Sequence, residues 1–314
     1  MHTASSRPNT RNCRSSPTKC SLAQWSRRVG APAPRIRGSS FPCALPTVVI
    51  ARWRATGPNA GNLVQRNAVA RVRHEGLAFD NANNLYYVDE FNGGSIYRYT
   101  TSATPANGAT YTGATYFNGG TNAVLRVGNG TVPSATGQAS WVPFTNPDGT
   151  AMKDAVTVID PNGIRAVDGR ATTAAPAPMG PANPYLGTGF NRPEDIQIQT
   201  LKNGEQVLYV AATGSHEVYS INLKTNKVQT FASQATINAA TGLPLREDFS
   251  SPDNLAVDAD GNIYIVEDRA DGKNAIWFAT DADRDGVADS LSRWATLATP
   301  GGEPTGLFFD PTNP

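Results

Sequence analysis

The chain has 314 residues, is 39% hydrophobic and 17% charged, and carries a formal net charge of +1. That length suffices for one large domain with a real core. The near-zero charge gives no basis for binding nucleic acid or an anionic membrane surface, and no run approaches the roughly 18 apolar residues of a membrane span.

Residues 1–60 are rich in Ser, Arg and Pro and show no strand or helix period, so a disordered or non-native leader is expected there. Arg27-Arg28 has the look of an export signal, but Arg35, Arg37, Ser39 and Ser40 interrupt any apolar run behind it, and no signal peptide is read. The three cysteines, Cys13, Cys20 and Cys43, all fall in this leader and make no metal-binding spacing. A Cys13–Cys20 disulfide and free thiols both remain open.

From residue 61 to 314 the chain reads as one β domain. A phrase recurs four times, at 74–80, 193–198, 252–258 and 302–310: an acidic residue, a small or polar step, then a strand-like run. The acids are Glu75, Glu194, Asp253 and Glu303. After the first three copies come a turn, a second strand (84–88, 206–210, 262–266) and a third (95–99, 217–221, 275–279). Repeated units of this size predict a β-propeller. Between the first two copies, 101–190 is expected to hold an insertion with extra strands near 123–127, 140–144 and 155–159. Trp141 and Tyr185 in this stretch are candidates for a cleft wall or for the core.

In a propeller the first strand of each blade lines the channel, so an acid just before it sits at the channel mouth. Several copies make a ring of negative charge that recruits cations, and oxygen-rich sites of this kind suit Ca²⁺. Asp89-Glu90 and Glu267-Asp268 end two of the second strands and reinforce the reading. The competing reading is that these acids are solvated turn residues.

A separate pattern runs through Asp281, Asp283, Asp285, Gly286 and Asp289. Oxygens at the first, third and fifth positions converge on one ion, and glycine at the sixth permits the turn. Position twelve is Ser292 and no helix precedes, so this is not an EF-hand. A second calcium loop is expected, with an acidic hairpin as the alternative.

The chain resembles the PhoX-type alkaline phosphatase family (DUF839). The resemblance rests on HEG at 74–76, YYVDEFNGGSIYRY at 86–99, WVP at 141–143, RPED at 192–195, SPDNLAVD at 251–258, VED at 266–268 and GEPTG at 302–306. It covers about three quarters of the chain. It implies a six-bladed propeller holding iron and calcium, and metal-assisted hydrolysis of small phosphate monoesters in the periplasm or outside the cell. Carried over by motif, Glu75, Glu194 and Glu303 are the first metal ligands, followed by Asp253, Asn254, Glu267 and Glu90, with Arg192 as a substrate-binding residue. His74 reads as a packing residue.

The family's upstream block with an iron-binding cysteine has no counterpart here, and its closing phrase would lie beyond Pro314. The resemblance therefore implies either a family fragment with both ends missing or a degenerate copy, with little or no turnover; a monomer is expected. Two other functions stay open: a non-catalytic calcium-binding propeller at the cell surface, and a propeller hydrolase of another ester such as a lactone.

Overall fold

A computed structural model describes residues 51–53, 63–105, 110–159, 163–174, 184–297, 299 and 302–310. All belong to one unit, Ile36–Pro314. The leader expected at 1–60, with its three cysteines, lies outside the described residues except for β1 (Ala51–Trp53), which pairs with β2 (Leu63–Gln65).

The rest is all-β, organised as propeller blades. The first blade runs outward from β3 (Leu77–Phe79) through β4 (Leu85–Val88) and, past the short β5 (Asn92–Gly94), β6 (Ile96–Thr101). A four-residue helix, α1 (Gly113–Tyr116), leads to β7 (Gly120–Val127) and β8 (Gly137–Pro143), which extend the same sheet. Then come the pair β9 (Thr157–Ile159) and β10 (Arg165–Val167), and β11 (Phe190–Asn191), which pairs with β5.

The second blade is β12 (Pro193–Thr200), β13 (Gln206–Ala212), β14 (Glu217–Asn222) and β15 (Lys227–Ala232). The third is β16 (Pro252–Val257), β17 (Ile263–Glu267), β18 (Ala275–Thr280) and β19 (Ser290–Thr296). Of the six blades that the resemblance implies, the described residues build three. Each has a fourth strand beyond the three read from the repeats, and β7 and β8 take up part of the stretch expected to be an insertion.

Strand alternation explains the stacking. In β13, Val207, Tyr209 and Ala211 face one cluster, with Leu255, Ile265 and Trp277 of the third blade. Leu208, Val210 and Ala212 face the other, with Tyr86, Ile96 and Leu125 of the first blade. A strand buried on both faces must be apolar at every position, which is why these segments read as unbroken hydrophobic runs.

A third cluster lies on the far side of the first blade and is built largely of Tyr87, Tyr97, Tyr99, Tyr116 and Phe144. Tyr185 belongs to this core, and Trp141 packs on the second cluster with its Nε1 donating to Asn226 Oδ1 at 3.2 Å. The first two blades form one nine-stranded sheet, because β8 also pairs with β15 at Gln138↔Lys227 and Gly137↔Val228.

The inner strands β3, β12 and β16 stand side by side. Gly76 N–H donates to Glu194 O at 2.9 Å. A Cβ on Gly76 would lie 2.4 Å from Ile196 N, so only glycine permits this approach. Asp195 ties the next pair: its carboxylate accepts from its neighbour Ile196 N–H at 2.8 Å and from Leu255 N–H at 2.9 Å.

Candidate metal centre

The same backbone link recurs at the mouth end of each blade. Glu90 N–H donates to Arg73 O at 2.8 Å, Thr213 N–H to Arg192 O at 3.0 Å, and Asp268 N–H to Ser251 O at 2.9 Å. In every case the acceptor lies two residues before the acid that opens the blade, Glu75, Glu194 or Asp253. The end of the second strand is thereby folded against the start of the first. The ladder is also irregular there, with register shifts between Pro193 and Ile196 and between Pro252 and Asn254. An extra residue at such a point re-aims a side chain, here at Glu194 and at Asp253.

Two groups of carboxylates result. Glu75, Glu90 and Glu194 offer oxygens within 4.8 Å of one another, and so do Asp253, Asp268 and Glu303. Asp253 couples the groups electrostatically. It is 9% exposed, and burial first, then Asp268, Glu75, Asp195 and Glu303, push it up to about 8. Glu194, 3% exposed, is also pushed up to about 8, by burial and then by Glu90 and Asp253.

Arg192 Nη2 lies 2.8 Å from both Glu90 Oε1 and Glu194 Oε1. The Thr213 hydroxyl lies 2.9 Å from Glu194 Oε1 and 3.0 Å from Pro252 O. One guanidinium among six carboxylates leaves a strongly negative site. Its all-oxygen donor set, at spacings that span a single ion, fits hard divalent cations such as calcium.

One residue expected as a ligand turns away from both groups. Glu267 is fully buried, and its oxygens accept from Ser250 N–H at 2.8 Å and Ala275 N–H at 3.1 Å. Its neighbour Asp268 joins the acidic group instead. The first blade repeats the arrangement: Asp89 turns inward to accept from Arg73 N–H at 2.8 Å, and Glu90 faces the mouth. Asn254 accepts from Gly306 N–H at 3.0 Å. It thus holds the segment after Glu303 as Asp195 holds β16.

Sequence reasoning named Asp268 only beside Glu267, without ranking it as a ligand, and gave Asp195 no role of its own. The matched pairs Asp89-Glu90 and Glu267-Asp268 carried the signal for the first, and the matched Glu194-Asp195 and Asp253-Asn254 for the second. His74 packs on Tyr87 with ring centroids 5.1 Å apart and its Nε2 3.1 Å from Ala70 O, and burial lowers it to about 4. It is a neutral packing residue.

A family model described as alkaline phosphatase PhoX matches residues 58–313. Among solved structures, the chain is similar to Pseudomonas fluorescens PhoX in complex with vanadate, a transition state analogue. Identity is 18% and the TM-score 0.44, over 74% of this chain and 46% of that one, so the chain spans under half of that protein's length. It is also similar to a gluconolactonase from Xanthomonas campestris, with 15% identity and a TM-score of 0.28 over 78% of this chain and 72% of that one. No curated protein matches significantly.

Proposed function

Since this chain belongs to the alkaline phosphatase PhoX family, we propose that its acidic channel mouth is the cation-holding part of a centre that hydrolyses small phosphate monoesters. The observation that supports this is the pair of three-carboxylate groups on adjoining blades, linked through Asp253. Glu75, Glu90 and Glu194 would hold one cation, and Asp253, Asp268 and Glu303 another. Calcium suits these oxygens. For the iron that the resemblance implies, the described residues supply no thiolate, and Cys13, Cys20 and Cys43 lie outside them.

Bound cations of this kind neutralise phosphate oxygens and make an oxygen nucleophile available at neutral or alkaline pH. The chain's own part is to hold and orient. Arg192 presents a half-exposed planar guanidinium at the mouth, a shape that suits two phosphate oxygens at once. Its present partners, Glu90 and Glu194, are carboxylates that a cation would also engage. We place the protein outside the cytoplasm as a monomer; among the described residues no helix is long and apolar enough to cross a membrane.

The test uses the full chain with calcium, alone and with iron. Little or no turnover of p-nitrophenyl phosphate is expected of this chain by itself. Calcium should nevertheless bind, less tightly in Glu194→Gln, and inorganic phosphate should be retained only with calcium, less in Arg192→Ala. Phosphate retained equally without calcium, or calcium binding unchanged in Glu194→Gln, would refute the reading.

A further inference from the structure

The geometry points to a separate calcium site, in the loop between β18 and β19, that fastens the third blade to the second at the end of the blades opposite the acidic mouth. The placement follows from the ladders. Pro252 pairs with Glu267 at the mouth, while Val257 pairs with Ile263 and Ile263 with Ala279 at the other end. Thr280 pairs with Ser290, so the 281–289 loop leaves the sheet at that other end.

Asp281, Asp283 and Asp285 each offer a carboxylate oxygen within 4.8 Å of the others. Acidic loops often adopt such a shape with no ion, so the group alone decides nothing. The deciding observation is Asp281 itself. It is 7% exposed; its Oδ2 accepts from Gly286 N–H at 3.3 Å, and its buried Oδ1 has no hydrogen-bond partner. A buried carboxylate oxygen without a donor is costly, and most such atoms in folded proteins are satisfied. A cation held with Asp283 and Asp285 supplies the missing partner. Those two are exposed and can complete the ion's oxygen shell together with water.

The loop also shows what the ion would do. Ala288 N–H donates to Phe231 O at 2.8 Å, Gln229 Nε2 donates to Asp285 O at 2.8 Å, and Ser220 Oγ donates to Gly286 O at 2.5 Å. All three partners lie in the second blade. Arg284 Nη1 donates to Gly261 O at 2.8 Å, in the β16–β17 turn. An ion that fixes 281–289 therefore fixes an inter-blade contact.

Calcium titration by calorimetry on the full chain tests this. The Asp283→Asn/Asp285→Asn chain should lose one calcium equivalent and keep the rest, whereas Glu194→Gln should keep the loop equivalent. An unchanged stoichiometry in the double variant would overturn the proposal, as would loss of every equivalent. Hydrogen exchange on the Glu194→Gln chain needs no change in the loop. At ten times its Kd, calcium should slow the Ala288 amide about tenfold, as for any ligand bound only to the closed form. Equal exchange with and without calcium would overturn the site. Failure of phosphate retention in the previous test would leave it standing.

Discussion

Replacing Glu194 with Gln should stabilise the calcium-free protein and remove much of the stabilisation that calcium gives. Glu194 is 3% exposed, and burial first, then Glu90 and Asp253, raise it from an ordinary 4.5 to about 8. Because the folded value is the higher one, the stability at issue is fully present below about pH 4.5. It is lost as pH rises through about 8. By pH about 7 the group has been driven roughly 2.5 in pH beyond its unfolded value, at about 1.4 kcal/mol for each step of one, or on the order of 3 kcal/mol. Its neighbours share that repulsion, so the variant should recover about 1–3 kcal/mol in chelator near neutral pH, and close to nothing near pH 4.5. Gln keeps an oxygen for Thr213. The assay is urea unfolding of parent and variant at both pH values, with chelator and with calcium. A variant less stable than its parent in chelator near pH 7, or a gain of equal size at both pH values, would refute the reasoning.

The remaining predictions concern the scaffold. Gly76→Ala puts a Cβ 2.4 Å from Ile196 N; forcing β3 and β12 apart should cost about 1–3 kcal/mol in denaturant unfolding and weaken calcium binding. Asp195→Ala leaves two N–H groups, of Ile196 and Leu255, without their acceptor, for a loss of about 2–4 kcal/mol, and Asp195→Asn, which keeps one oxygen for two donors that bond separate oxygens, should lose about half of that or more. His74, lowered to about 4 by burial, should show no imidazole titration by NMR between pH about 5 and 8. What it contributes to stability is present above its ordinary 6.5 and lost as pH falls through about 4.

Repeats and alternation made the blades legible. A carboxylate before each inner strand, at a matched offset, marked Glu75, Glu194 and Asp253; Glu303 was marked by the fourth copy of the phrase, although residues 302–310 form no strand. The fate of the other acids turns on features with no sequence mark. Asp258 closes its phrase much as Asp253 opens it, yet it is a turn residue whose Oδ1 accepts from Asn262 N–H at 2.8 Å; Asp80 does the same for Asn84 at 2.7 Å. Between Glu267 and Asp268 the choice rests on one step of strand alternation beside an irregular ladder. A slip of one residue would exchange the buried carboxylate for the one at the mouth. The role of Asp195 depends on the neighbouring blade coming within hydrogen-bond reach, which no local pattern encodes.

The way β15 is covered bears on how the protein resists aggregation. An outer strand with unpaired N–H and C=O groups is a template for strands of other chains. β15 is shielded at one end by β8, at Lys227 and Val228, and along the rest by the 281–289 loop, through Gln229 and Phe231. β8 is matched in turn to β7 and β15. Within the two large sheets this leaves β19 as the outer strand with a partner on one side only among the described residues, and it carries Trp294 at 55% exposure beside Arg293. Among the described residues the rim of the third blade is thus the outer edge open to strand addition, and a charged residue in place of Trp294 would blunt it.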